Sequence, residues 1–250
     1  MSHSFHLSPR VLFSTFALTL SCVAIHPVHA QQPSIDHSAR HERAIEQSQA
    51  NLRPADPGAS NRLVALADAL LRAGQVNDSI PHYERAIEQS PDMQPYLWQY
   101  GIALFFAGRF EDGRELFEAH RRVNPNDVEN AAWHFLCEAK ANGIDSARKL
   151  LLPAPGDRRV PMSEILDRLP GGDAAAIESA VNAIDQPGSK QSARFYADLY
   201  LGMIADAEGK PAAAQRFMQQ AAASPLSHYM ADVARVYAKH LQDSTEPDKR

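Results

Sequence analysis

The sequence predicts an all-α fold: a right-handed solenoid of paired helices with an irregular helical middle and a C-terminal capping helix. Three observations predict it. First, positions of matching character recur at a 34-residue step: Gly74 and Gly108, Tyr83 and Phe117, Leu63 and Leu97, Leu70 and Leu104, Pro91 and Pro125. That is the length of a helix–turn–helix unit that buries its apolar face against its neighbours. Second, the segments before the glycines carry apolar residues at i, i+3, i+4 and i+7, as in Leu63, Leu66, Ala67 and Leu70, the stripe of an amphipathic helix. Third, 44% hydrophobic and 22% charged residues are ordinary for a globular chain that builds a core.

Residues 1–30 read as a secretory signal peptide. Arg10 precedes an apolar run from Val11 to Ile25, and Val28-His29-Ala30 offers a small-residue cleavage site. Cys22 allows another outcome. It ends the string Leu18-Thr19-Leu20-Ser21-Cys22, similar to the close of a bacterial lipoprotein signal, with Thr19 where Leu is usual and Leu20 one place late. Cleavage after Ala30 would start the chain at Gln31, periplasmic or secreted. Lipidation at Cys22 would anchor it to a membrane. Both outcomes leave Cys137 as the free thiol and no intramolecular disulfide. Its apolar helical context makes Cys137 a buried small hydrophobe. No stretch after residue 30 is long and apolar enough to span a bilayer.

Residues 31–59 give an N-terminal helix, about Asp36 to Leu52, and a linker through Pro54-Ala55-Asp56-Pro57-Gly58. Glu42 to Ser48 recurs identically as Glu84 to Ser90, either a degenerate half-repeat or a chance likeness. The helical domain spans 60–241. Its first repeat, 60–93, closes its first helix at Gly74 and continues with Ile80, Tyr83, Ala86 and Ile87, with Pro81 placed in the first turn of the second helix. The second repeat, 94–127, has Tyr100-Gly101, Gly108 and Phe117 at matching places, and His120 where Ala86 stood. A degenerate third unit, 128–152, keeps two helices, Val128 to Ala141 and Ile144 to Leu152, around Asn142-Gly143. Pro153 to Pro161 is a loop, and Met162 to Leu169 and Asp173 to Ile184 are short helices. A late repeat, 195–225, restores the pattern with Leu201-Gly202, Gly209, Ala214 and Ala221. The closing helix, 226–241, carries Met230, Val233, Val236 and Tyr237 on one face, and 242–250 is expected to be a disordered tail.

A 34-residue period with small, aromatic and proline positions in this order is the tetratricopeptide (TPR) pattern. The layout as a whole resembles the NlpI-type TPR lipoproteins of the bacterial envelope. The stretches that carry the resemblance are Tyr-Gly-Ile-Ala-Leu-Phe-Phe-Ala-Gly-Arg at 100–109 with Asn124 to Asp127, and Phe195-Tyr196 through Leu201-Gly202 to Ala214. The resemblance implies an extracytoplasmic adaptor that dimerises, sits at the outer membrane and holds envelope proteases and cell-wall hydrolases. The alternative is a structural subunit of a homo-oligomeric or fixed envelope assembly whose groove is self-occupied.

In such a unit the first helix lines a concave groove. By repeat offset the partner-binding groove is Val64, Asp68 and Arg72 in the first repeat, beside Asn61 and Ala65. In the second repeat it is Trp98, Gln99, Ile102, Phe105 and Phe106. Val64, Asp68, Trp98 and Ile102 stand where a C-terminal carboxylate clamp would place Lys and Asn, which argues against that mode. The second repeat's groove is apolar and aromatic, as a contact surface is. Its cover is an external protein, a second copy or the chain's own helices, with the irregular middle as a candidate.

Chemistry is not indicated. His37 and His41 lie four apart without the His-Glu-x-x-His pattern and read as a solvated pair; His120 reads as a packed histidine. His134 and Cys137 lack an orienting third group. No phosphate loop, nucleophile elbow or calcium loop is present. We therefore expect no enzyme activity, metal or cofactor. The net charge of −5 argues against nucleic acid as a partner.

Overall fold

The computed structural model describes Met1, residues 36–52 and residues 58–245. The signal peptide, Cys22, the cleavage site before Gln31, most of the Pro54–Gly58 linker and the last five residues of the tail lie outside the described residues.

Twelve α-helices and no strands make up the described residues. Helix α1 (His37–Ala50) leads into the first hairpin, α2 (Ala59–Arg72) and α3 (Val76–Gln89). A 3-10 turn, Pro91–Tyr96, precedes the second hairpin, α4 (Trp98–Phe106) and α5 (Phe110–Arg121). The third is α6 (Val128–Asn142) with α7 (Ile144–Lys149), followed by the short α8 (Met162–Arg168) and α9 (Ala174–Asn182). The late hairpin is α10 (Pro187–Ala207) with α11 (Pro211–Ala222), and α12 (Tyr229–Thr245) ends the fold. Each hairpin packs its two helices together and stacks on its neighbour, an all-α solenoid of helical hairpins.

Local chemistry sets the turns. Gly74 and Gly108 sit at φ 78° and 75°, where a Cβ is costly. At both, the glycine N–H donates to the carbonyl two residues inside the helix cap, Leu71 and Phe105. The next N–H, of Gln75 or Arg109, donates to Leu70 or Leu104. These paired bonds satisfy carbonyls that a helix end leaves bare. Asp36, Asp127 and Asp173 cap α1, α6 and α9 by accepting from the N–H of Ala39, Glu129 and Ala175. Gly101 serves packing instead: a Cβ there would lie 2.6 Å from the Phe117 ring.

Four expectations need correction. Pro81 is not in the first turn of its helix: α3 starts at Val76 and Pro81 lies inside it. It sits on the exposed side, where water reaches the carbonyl deprived of its donor. The late hairpin begins at Pro187, eight residues before the repeat pattern becomes legible. The closing helix continues through 242–245, residues expected in the tail. The His37–His41 pair is not solvated: both rings are half-buried, and His41 Nε2 lies 3.4 Å from Asp232 Oδ1 on α12.

The last point reflects the main feature of the architecture. Helix α12 packs on α11 and returns to contact α2, so this helix lies against the first helices of the first two repeats. Asp232, fully buried, holds this return. It accepts from Arg72 Nε at 2.8 Å on α2, from Arg40 on α1 and from Arg235 Nη1 at 2.9 Å one turn along α12. Burial acts to raise the Asp232 pKa, but the bond and charge of Arg72, with Arg40, hold it below the ordinary carboxylate value.

Candidate functional site

The predicted groove residues lie on α2 and α4, and α12 packs against several of them. Phe105 and Phe106 meet the Tyr237 ring with centroids 5.6 and 5.4 Å apart, and Phe106 meets His240 at 5.5 Å. Ile102, Phe105 and Phe106 are buried and offer no free surface, so of the covers the sequence left open the chain's own helices are the ones present. Trp133 of α6, in the irregular middle, meets Phe105 at 5.5 Å and Phe106 at 6.1 Å, and the rest of the cover is the closing helix. Its Tyr237 also packs on Trp133, and its hydroxyl donates to Asp206 at 2.6 Å. Arg72 is engaged by Asp232 and lies 5.3 Å over the Tyr229 ring. Asp68 accepts from the hydroxyls of Tyr83 and Tyr229; burial pushes its pKa up to about 6, with the tyrosine bonds opposing. Val64 packs half-buried against the core, and Gln99 is half-buried beside Trp98.

Trp98 is different. Its ring meets Tyr229 edge-on at 4.9 Å, and it also lines a cavity of about 310 Å³ where α12 begins. Five aromatic side chains, Trp98, Phe117, Trp133, Tyr196 and Tyr229, form its walls with the His228 imidazole. Phe117 and Trp133 stack at 6.4 Å, and Tyr196 stacks on His228 at 5.9 Å. The polar side is the first turn of α6, with Asp127, Glu129 and Asn130, and His120 from α5. His120 Nδ1 lies 2.8 Å from the Pro95 carbonyl. A carbonyl only accepts, so Nδ1 carries the proton.

Carboxylates cluster beside the cavity. Arg159, on the loop before α8, serves three of them: Glu129, Asp127 at 3.0 Å and Asp157 at 2.6 Å. Its guanidinium carbon sits 5.7 Å from the centre of the Tyr196 ring. Glu129 also accepts from the Tyr200 hydroxyl at 2.9 Å. Burial raises the Glu129 pKa, and the charge of Arg159 opposes that shift. Two buried polar atoms on lining residues have no hydrogen-bond partner among the described residues: Asn130 Oδ1, an acceptor, and Trp133 Nε1, a donor. Such atoms are rare and point to a missing partner.

Sequence reasoning missed Glu129, Trp133, Tyr196 and Tyr229 as site residues. A signal existed for two of them. The 34-residue step that relates Trp98 and Gln99 to Val64 and Ala65 leads, one repeat further, to Ala132 and Trp133. It also carries Asn61 and Pro95 on to Glu129. Tyr196 and Tyr229 come from distant helices, and no local pattern marks them.

Cys137 and His134, the pair weighed for nucleophilic chemistry, are both buried. Cys137 is fully buried, its thiol pushed far up by burial, and it packs under Gly113. A thiol held protonated is a poor nucleophile. His134 is buried and turned to Glu118, Nε2 to Oε1 at 3.2 Å, with its pKa lowered by burial. Among the described residues no group of three His, Cys, Asp or Glu side chains is placed to hold a metal ion, and none of their helices is long and apolar enough to cross a membrane.

Comparison with known proteins supports the repeat assignment. Residues 70–134 match the family model of the tetratricopeptide repeat. No curated protein matches the chain. Among solved structures the chain is similar to a tetratricopeptide repeat protein from Parabacteroides merdae ATCC 43184. The identity is 14% and the TM-score 0.43, covering 82% of this chain and 93% of that one.

Proposed function

We propose that the protein is an extracytoplasmic binding scaffold that engages a protein partner through the aromatic cavity at the foot of its concave face. Tetratricopeptide repeats generally mediate contacts between proteins, using the concave surface of the stack. Here α12 covers Phe105 and Phe106 in the groove, and the cavity beside Trp98 has room for a partner's side chain. The observation that carries the proposal is the pairing of five aromatic walls with the unpartnered Asn130 Oδ1 and Trp133 Nε1. Buried polar atoms without partners are costly, and a ligand that supplies them removes the cost. The extracytoplasmic location rests on the leader-like residues 1–30. The resemblance to NlpI-type lipoproteins supports envelope proteases or cell-wall hydrolases as the partner class.

Site-specific photo-crosslinking in the producing cells tests this. A crosslinker replacing Tyr196, at the cavity wall, is expected to give adducts with another protein. One replacing the exposed Ala65 on α2 is expected to give none. Adducts from position 65 alone would contradict the proposal. Intact mass of the purified protein tests the location: a start at Gln31 or a lipid on Cys22 fits, and an unprocessed Met1 start does not.

The filled groove also favours a second reading, a fixed subunit whose surfaces serve its own copies. In that case the Tyr196 adduct would be a dimer of this chain.

A further inference from the structure

We propose that the cavity receives the guanidinium of an arginine side chain presented by an extended segment of the partner. This deepens the scaffold proposal and rests on it.

Charge comes first. The acidic side chains lining the cavity are Asp127 and Glu129. With Asp157 they form a group of three carboxylates that share one guanidinium, that of Arg159. A second cation would cut the excess from two carboxylates to one, and charges partly withdrawn from water are favoured by such pairing. An anionic or neutral ligand would leave the imbalance in place.

Shape and donor count then select arginine. The guanidinium is flat and carries five N–H donors, whereas a lysine ammonium is a compact, strongly hydrated charge with three. The walls are flat rings, and the chain already sets guanidinium groups against two of them. Arg159 lies over Tyr196 at 5.7 Å and Arg72 over Tyr229 at 5.3 Å. Cations favour such faces. The acceptor waiting for a donor is Asn130 Oδ1. Asn130 is only 4% exposed, and its amide N–H is committed to the Phe117 carbonyl at 3.1 Å.

Trp133 Nε1 argues for a peptide over a free cation. It is a donor without an acceptor, which a guanidinium cannot supply and a peptide carbonyl can. At about 310 Å³ the cavity holds one side chain with its backbone, not a helix.

The sequence contains two tryptophans, and both Trp98 and Trp133 line the cavity. Their emission therefore reports occupancy directly. The full chain is titrated with a blocked pentapeptide bearing a central arginine, and with its citrulline and lysine analogues. The arginine peptide is expected to give a saturable change, with the isosteric but neutral citrulline peptide at least tenfold weaker and the lysine peptide intermediate. Glu129→Gln should weaken the arginine peptide about tenfold. Because that change could loosen the local fold, Arg159→Gln is the second variant. It removes the internal competitor and should tighten arginine-peptide binding severalfold, which a merely disruptive change does not do. Equal binding of the arginine and citrulline peptides would overturn the proposal. So would the absence of a saturable change up to about 10 mM peptide, or arginine amide binding as tightly as the peptide. If these fail while the Tyr196 crosslink persists, the cavity docks a protein by other chemistry. If the crosslink is lost as well, the scaffold proposal falls with it.

Discussion

At Asp68 a carboxyl is buried between the Tyr83 and Tyr229 hydroxyls, with its pKa raised to about 6 from 3.8. The folded state therefore binds the proton more tightly than the unfolded chain. Ionised Asp68 costs stability above pH 6, and the cost fades as the pH falls from about 6 toward 4. Asp68→Asn keeps an acceptor and removes the charge. It is expected to stabilise the protein at pH 8 by on the order of 2 kcal/mol, with no gain at pH 4, in urea unfolding at the two pH values. Gly101 makes a different demand. A methyl there would press to 2.6 and 2.9 Å from two carbons of the Phe117 ring, and that ring is backed by Trp133. Gly101→Ala is expected to destabilise by about 1–3 kcal/mol, as overpacked cores do. An unchanged melting temperature would refute that packing argument.

At the scale of the element, α12 decides the site. Its Asp232 has no exposed surface and holds Arg40, Arg72 and Arg235. Removing the carboxylate leaves three guanidinium groups facing one another, so Asp232→Ala is expected to cost about 3 kcal/mol or more. The pH dependence has a definite sign. Asp232 has a depressed pKa, so its contribution holds above the ordinary carboxylate pKa and is lost as the pH falls through the folded value. Burial lowers the His41 pKa, so the unfolded state takes up the proton first and stability falls below about 6.5. Both weaken the contact of α1 with α12 in acid. Asp232→Ala should flatten the acid limb of the stability profile, and an equally steep limb in the variant would show that the acid sensitivity arises elsewhere. The helix itself was legible from Met230, Val233, Val236 and Tyr237, because one face is apolar. Its destination was not, since Trp98–Tyr229 and Arg72–Asp232 join residues far apart in the chain and leave no local period. For the same reason α6 and α10, buried on most faces, were readable as helices while their cavity-facing residues were not.

At the scale of the molecule, the regular repeats were readable because each hairpin repeats one small problem: a stripe to bury, a glycine to turn, a small residue where helices meet. The early repeats and the family match at residues 70–134 coincide with that regularity. Where the chain contacts itself across the stack, the repeats stop behaving as a row of nearest neighbours. The link from α12 to α2 couples the first hairpin to the last helix, so the described helices should unfold together. The same link turns an open groove into an occupied one, with the cavity at the start of α12 as the site proposed for a partner. Native-state hydrogen exchange resolved along α12 tests this most directly. If the closing helix fills the groove, amides from Val233 to Leu241 exchange as slowly as those of α4, which they cover, and both speed up together in Asp232→Ala. Fast exchange along α12 beside a slow α4 would show the helix to be an appendage, the groove open, and the account wrong.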